Sequence, residues 1–268
     1  MELPKKIALY YDSPINISNS LQNVVDILSE YDVIILGENL ANPSHQNYIS
    51  TTNIISELLL LNTDIYGYVK LTKTSVINSV NQWDNLNTTG IFIDEFGDDY
   101  GNTRDDQNAL LDHIHSKNMN CMLNSILSVF DNTPNPFNPN GDSLNYLSSD
   151  WYVYMGFGVS NNTYNNPVNN SNLLKNYNIK VCCIATSNGI FNQNLADYSY
   201  YLSVLMEFEG WGWGELNFSG SLPFRKRKKI IGDTFTSLLQ NESGIYYRDT
   251  NVGIVIDTNN KSVNFILK

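Results

Sequence analysis

The chain has 268 residues, 42% hydrophobic and 12% aromatic, enough to bury a sizeable core and too apolar for a disordered polymer. Mean hydropathy is −0.27, and no apolar run approaches the roughly 18 residues of a membrane span, so no membrane insertion is expected. A net charge of −11 lacks the positive footprint that phosphates need, so no nucleic-acid partner is expected either.

The segment from Met1 to Lys6 has no apolar signal-peptide core. Of the three cysteines, Cys182 and Cys183 are adjacent in one strand-like run, where side chains point apart. With three scattered histidines they give no metal-ligand spacing, so the expectation is structural thiols, no metal and no cofactor. The run Arg225-Lys226-Arg227-Lys228-Lys229 reads as a solvated face opening a helix. Asparagine abounds, as in Asn161-Asn162-Thr163-Tyr164-Asn165-Asn166.

Short β-branched and aromatic runs alternate with helical spacing. Strands are predicted at Ile7 to Tyr11, Val33 to Leu36, Ile65 to Leu71 and Gly90 to Ile93. Helical spacing covers Asn53 to Leu61 and Ser75 to Trp83. Thr103 caps the next helix, with Asp105 and Asp106 in its first turn and Leu110, Leu111 and Ile114 as its apolar stripe. Strands follow at Cys121 to Leu123, Trp151 to Met155 and Lys180 to Ala185. A helix spans about Gln193 to Met206, and a tryptophan-rich segment runs from Gly210 to Phe218.

Strict β-α alternation over some 220 residues, with no Gly-x-Gly-x-x-Gly after the first strand, favours a closed (β/α)₈ TIM barrel over an open dinucleotide-binding sheet. The barrel is expected over residues 1–243. Three turn-separated strands, Gly244 to Arg248, Val252 to Asp257 and Val263 to Leu267, predict a small antiparallel appendage over residues 244–268. The Asn- and Pro-rich stretch from Asp131 to Ser149 reads as a long loop on the active face.

The most pointed segment is Gly90-Ile91-Phe92-Ile93-Asp94-Glu95-Phe96-Gly97. An apolar strand ends in two carboxylates and a glycine, which a β/α barrel places at its active mouth. Asp94 and Glu95 are therefore the candidate catalytic pair, although one acid could instead cap the following turn or pair with Arg104. Adjacent strand residues point apart, so the two share a face only if the backbone turns after Asp94. Other strand ends offer Tyr10, Tyr11 and Asp12, then Glu38, Asn124, and the group Trp211, Trp213 and Glu215. Carboxylates, an amide and aromatic rings are the inventory of a sugar site. Tyr10, Asp12, Glu38, Asn124 and Trp213 are the candidate substrate-binding residues.

These segments resemble the barrel glycoside hydrolases related to spherulin-4 and the endo-α-1,4-polygalactosaminidases. The resemblance runs over most of the chain, through Ile7 to Tyr11, Tyr31 to Glu38, Gly90 to Gly97, Thr103-Arg104, Gln107-Asn108, Asn124, Asp150-Trp151-Tyr152 and Leu222 to Arg225. It implies a metal-independent (β/α)₈ enzyme acting on α-linked galactosamine-type polysaccharide, with Asp94 and Glu95 in the catalytic centre. In such relatives strand six tends to end in a glutamate, whereas here Met155 holds that place, or Gly156 if the register slips by one. Two-carboxylate hydrolysis then needs an acid from Glu38, Glu209 or Glu215, or turnover is weak or lost.

Two functions follow: a glycosidase of amino-sugar polysaccharide, or a non-catalytic carbohydrate-binding or structural component of a phage particle, such as a tail or capsid-decorating protein. The expected partner is a polysaccharide or host surface glycan, with protein partners in a virion assembly under the second reading and a virion-associated or otherwise extracellular-acting location. A sugar-phosphate enzyme is disfavoured by the missing glycine-rich phosphate loop.

Overall fold

A computed structural model describes residues 3–156, 167–187, 192–215 and 234–267. Eight parallel strands close into a barrel: β1 Lys5–Tyr10, β2 Val33–Leu36, β3 Asp64–Lys70, β4 Gly90–Asp94, β5 Asn120–Asn124, β6 Trp151–Met155, β7 Lys180–Ser187 and β8 Gly210–Glu215. The described helices are α1 Leu21–Leu28, α2 Tyr48–Leu60, α3 Val76–Asp84, α4 Arg104–His115, α5 Pro167–Asn176 and α6 Gln193–Leu205. None is long and apolar enough to cross a membrane. The basic run 225–229 lies outside the described residues.

Strand alternation sorts the apolar residues into two layers. Ile7, Leu9, Val33, Ile35, Tyr66, Tyr68, Phe92, Met122, Trp151, Val153, Cys182 and Ile184 fill the barrel interior, with Tyr11 and Met155 packed against them. Their neighbours, such as Ala8, Tyr10, Ile34, Leu36, Ile91, Ile93, Tyr152, Tyr154, Trp211 and Trp213, pack outward beneath the helices. Strand β8 gives the interior no bulk. A Cβ at Gly210 would lie 2.6 Å from Ile7 Cδ1 and 3.1 Å from the Trp151 ring, and one at Gly212 would lie 2.6 Å from the Ile7 carbonyl oxygen. Glycine on β8 is what lets a tryptophan occupy the lumen.

One element differs from the sequence reading. Helix α1 was not anticipated: its apolar stripe is short, yet Ser20 caps it by accepting the Asn23 N–H at 3.2 Å, and Val24, Val25 and Leu28 are buried. Between β5 and β6 the long loop expected from Asp131 to Ser149 is present, and no helix joins the two strands. A 3₁₀ turn, Leu127–Phe130, and an irregular stretch take the place of a helix there. Asn135 and Asn138 exchange backbone hydrogen bonds at 3.1 Å, and buried Arg104 donates to the carbonyls of Val129 at 2.8 Å and Asp131 at 3.3 Å.

The C-terminal sheet is antiparallel in the order β12-β11-β10-β9, formed by β9 Gln240–Glu242, β10 Ile245–Asp249, β11 Val252–Asp257 and β12 Ser262–Leu267. The short β9 precedes the three strands legible in the sequence. The sheet packs on α6, where the rings of Tyr201 and Phe265 meet edge to face at 4.8 Å.

Candidate active site

The carboxyl ends of β1 to β5 bring the candidate acids together. Asp94 closes β4 and accepts three hydrogen bonds: from the Tyr68 hydroxyl to Oδ2, from the Asn124 amide to Oδ1 at 2.7 Å, and from the Glu95 backbone N–H to Oδ1 at 2.9 Å. Tyr68 reaches it because β3 sends Tyr66, Tyr68 and Lys70 to the lumen in turn, and Lys70 is the register partner of Asp94. The Tyr68 ring is fixed by Phe92, stacked at 5.6 Å, and by Tyr11, edge-on at 5.3 Å.

Glu95 follows with φ of 54°, in the left-handed region that non-glycine residues seldom adopt. That turn ends the strand's alternation and lets Glu95 share the mouth with Asp94. The turn is held from below: the Asn102 amide donates to the carbonyls of Glu95 at 2.5 Å and Gly97 at 3.1 Å, and Gln107 donates to the Phe96 carbonyl at 2.8 Å. Glu95 Oε1 pairs with Lys70 Nζ at 2.6 Å, and Oε2 accepts from the Thr72 hydroxyl. Glu38 pairs with Lys73.

The electrostatics follow from these contacts. The Lys70 hydrogen bond, then that of Thr72, holds the Glu95 carboxyl below its usual range, and the same bond raises the Lys70 ammonium. Burial, then the hydrogen bond and charge of Asp94, push the Tyr68 hydroxyl far up, so it remains a donor. Burial and the Asp94 charge do the same to Tyr11. The charge of Glu38 is felt at both Tyr68 and Lys70, which places it at the same mouth. Burial, then the charges of Asp99, Asp94 and Glu95, raise the Tyr100 hydroxyl, and that residue is 53% exposed. The Asp99 carboxyl is raised by burial and by Asp98.

Several sequence expectations need correcting. Tyr10 is 1% exposed and points outward with Ala8 into the layer under the helices; burial and Asp12 raise its hydroxyl to about 12. Trp213 is likewise 2% exposed in that outer layer. Strand parity turns both away from the mouth, and Tyr11, directly after β1, enters it instead. Asp12 is spent on its own turn, accepting the Ser13 N–H at 2.6 Å and the Asn16 amide at 3.0 Å. Glu209 precedes β8 at the opposite pole, where it accepts the Val181 N–H at 2.7 Å. The Glu215 side chain lies outside the described residues.

Met155 sits at the end of β6 with the parity of Trp151 and Val153, packed against the interior cluster. Sequence reasoning overlooked Tyr68, Lys70, Thr72 and Tyr100. The alternation Tyr66, Tyr68, Lys70 at the end of a strand was the signal that could have found the first two. The cavity of about 650 Å³ lined by Lys5, Trp151, Lys180, Phe208 and Glu209 belongs to the other pole and shares nothing with this site.

No family model matches the chain, and no curated protein matches it in sequence. Solved structures do. The glycoside hydrolase domain of PelA from Pseudomonas aeruginosa matches with a TM-score of 0.50 at 10% identity, over 82% of this chain and 97% of that one. A variant of that domain matches at 0.51 and 11% identity, with the same coverage. A D-psicose 3-epimerase from Clostridium cellulolyticum H10 gives 0.49 at 7% identity, over 79% and 84%. At such identities the likeness establishes a barrel fold shared with glycoside hydrolases and nothing about substrate.

Proposed function

We propose that the mouth is a glycan-binding site built on a glycoside hydrolase scaffold, taking amino-sugar polysaccharide of the galactosamine type, with hydrolysis slow or lost. The observation that supports this reading is the Asp94 carboxylate, fixed by Tyr68, Asn124 and its own neighbour's N–H beside a partly buried Glu95. Such a fixed acceptor suits sugar hydroxyls or a protonated amine. Asp94, Glu95 and Glu38 outnumber Lys70 and Lys73, and the chain as a whole is acidic, so a polycationic glycan is attracted. Tyr100 offers an exposed ring for a pyranose face.

The reading of slow turnover rests on proton supply. Glu95 is held ionised by Lys70, Glu38 is paired with Lys73, and Met155 holds the β6 position. Two-carboxylate hydrolysis needs one group that donates a proton. The test is titration with partially deacetylated galactosaminoglycan, measuring binding and new reducing ends together. Binding that Asp94→Asn abolishes, with few or no new ends, is expected. Absence of binding, or rapid cleavage by the unmodified protein, overturns the reading.

A further inference from the structure

We propose that His115, Cys121 and Asp150 form a site for one soft divalent metal ion, Zn²⁺ being the best fit, at the pole opposite the mouth. The residues come from three elements: His115 ends α4, Cys121 lies at the start of β5, and Asp150 directly precedes β6. Their ligand atoms all lie within 4.8 Å of one another. His115 Nε2 is 3.0 Å from Asp150 Oδ2 and 3.6 Å from Cys121 Sγ. A tetrahedral zinc ion, with bonds of about 2.0–2.2 Å to nitrogen and oxygen and about 2.3 Å to sulfur, has ligand edges of about 3.3–3.6 Å. The two edges at His115 need shifts of a few tenths of an ångström, and the Cys121–Asp150 edge, which lies within 4.8 Å, closes by about 1 Å or less.

The site is also prepared. The Asp150 carboxylate is fully buried, and its oxygens are oriented by the Cys121 N–H and the Leu147 N–H, each at 2.7 Å. Backbone donors of this kind fix metal-ligating carboxylates. The imidazole is the exposed member, at 13%, which gives the ion a route in and a fourth position for water. A His–Asp hydrogen bond alone accounts for the 3.0 Å contact. The thiol meets the same ring nitrogen at the 3.6 Å of a weak sulfur contact, and three donor groups of this kind turned to one point are the set a shared cation takes. On binding, bonds form from the metal to Sγ, Nε2 and Oδ2. The thiol proton leaves to solvent, the Nε2 proton that bonded Asp150 is given up as Nδ1 takes one from solvent, so one proton is released in all, and nothing is oxidised. The ion would brace β5 against β6 where no helix joins them.

The test uses the full chain, stripped with chelator and titrated with Zn²⁺ alone. One equivalent should bind, and X-ray absorption at the zinc edge should show one sulfur at about 2.3 Å with nitrogen or oxygen at about 2.0–2.2 Å. Cys121→Ser and His115→Gln should each weaken binding beyond the roughly 10–100-fold that loss of an outer partner costs. Zn²⁺ should raise the thermal midpoint of the unmodified protein but not of His115→Gln. No stoichiometric uptake, a shell without sulfur, or unchanged affinity in a folded Cys121→Ser protein overturns the proposal. Because the absorption measurement needs no variant, a misfolded mutant does not blunt it.

Discussion

Lys70 and Glu95 meet in a 2.6 Å ion pair at the barrel mouth, and they meet only because Glu95 leaves its strand with a positive φ. Had β4 continued its alternation, the glutamate would have faced the helices. A local backbone turn thus decides the charge state of the site.

That pair should be visible in the pH dependence of stability. Glu95 has a lowered pKa in the folded state, so its contribution is present above the ordinary glutamate value of about 4.3 and is lost as pH falls through the lowered value. Lys70 has a raised one, so its share is present below about 10.4 and is lost as pH rises through the raised value. The side chains are 30% and 22% exposed, which screens the pair to about 1 kcal/mol or less. Urea unfolding of the unmodified protein and Glu95→Gln should differ by that amount near neutrality, and the two should converge in acid. A difference that persists unchanged in acid would refute this.

Tyr68→Phe removes one of three donors from Asp94. Loss of that hydrogen bond should cost about 0.5–1.5 kcal/mol, together with weaker glycan binding as the Asp94 carboxyl loses its orientation. Tyr10→Phe should leave binding untouched, because that side chain faces the helices. Equal binding losses in both variants would show that the strand parity is misread.

Met155→Glu places a carboxylate at the end of β6. General acid–base groups contribute about 10²–10⁴-fold to rate, so reducing ends should appear from bound galactosaminoglycan and vanish again when Asp94→Asn is added. If the glutamate variant folds, binds and still cleaves nothing, Met155 does not occupy the functional position.

Gly212→Ala places a methyl carbon 2.6 Å from the Ile7 carbonyl oxygen, a backbone atom that cannot step aside. Overpacking of this kind costs about 1–3 kcal/mol, read as a lower thermal midpoint. An unchanged midpoint would mean that the β1–β8 contact is looser than described.

The barrel, its strand ends and the Asp94–Glu95 pair were legible because buried parallel strands are continuous apolar runs that stop abruptly at the mouth. Asn124 was legible for the same reason. What failed was face assignment. Tyr10 and Tyr11 look alike in a buried run, and Trp213 ends a strand as a lumen residue would, since both faces of a barrel strand are buried. Asp12 looked like a site residue until its turn was seen to use both oxygens. Tyr68 and Lys70 lay inside or at the end of a strand read only for its hydrophobicity. The convergence of His115, Cys121 and Asp150 spans a long loop, and no local spacing announces it.

The glycine-lined seam where β8 meets β1 has a consequence for how the ring is completed. Its pairs run from Lys5 with Gly210 to Ile7 with Gly212, joining residues some two hundred positions apart. Bringing such distant segments together costs about 5 kcal/mol of chain entropy, set against three register pairs and no interior side chains from β8. The other seven joints link neighbours in sequence and repay their closure early. The seam should therefore zip last during folding and open first under load, with the Lys5 amide, bonded to the Glu209 carbonyl at 2.8 Å, exchanging with solvent ahead of those in β3 and β4.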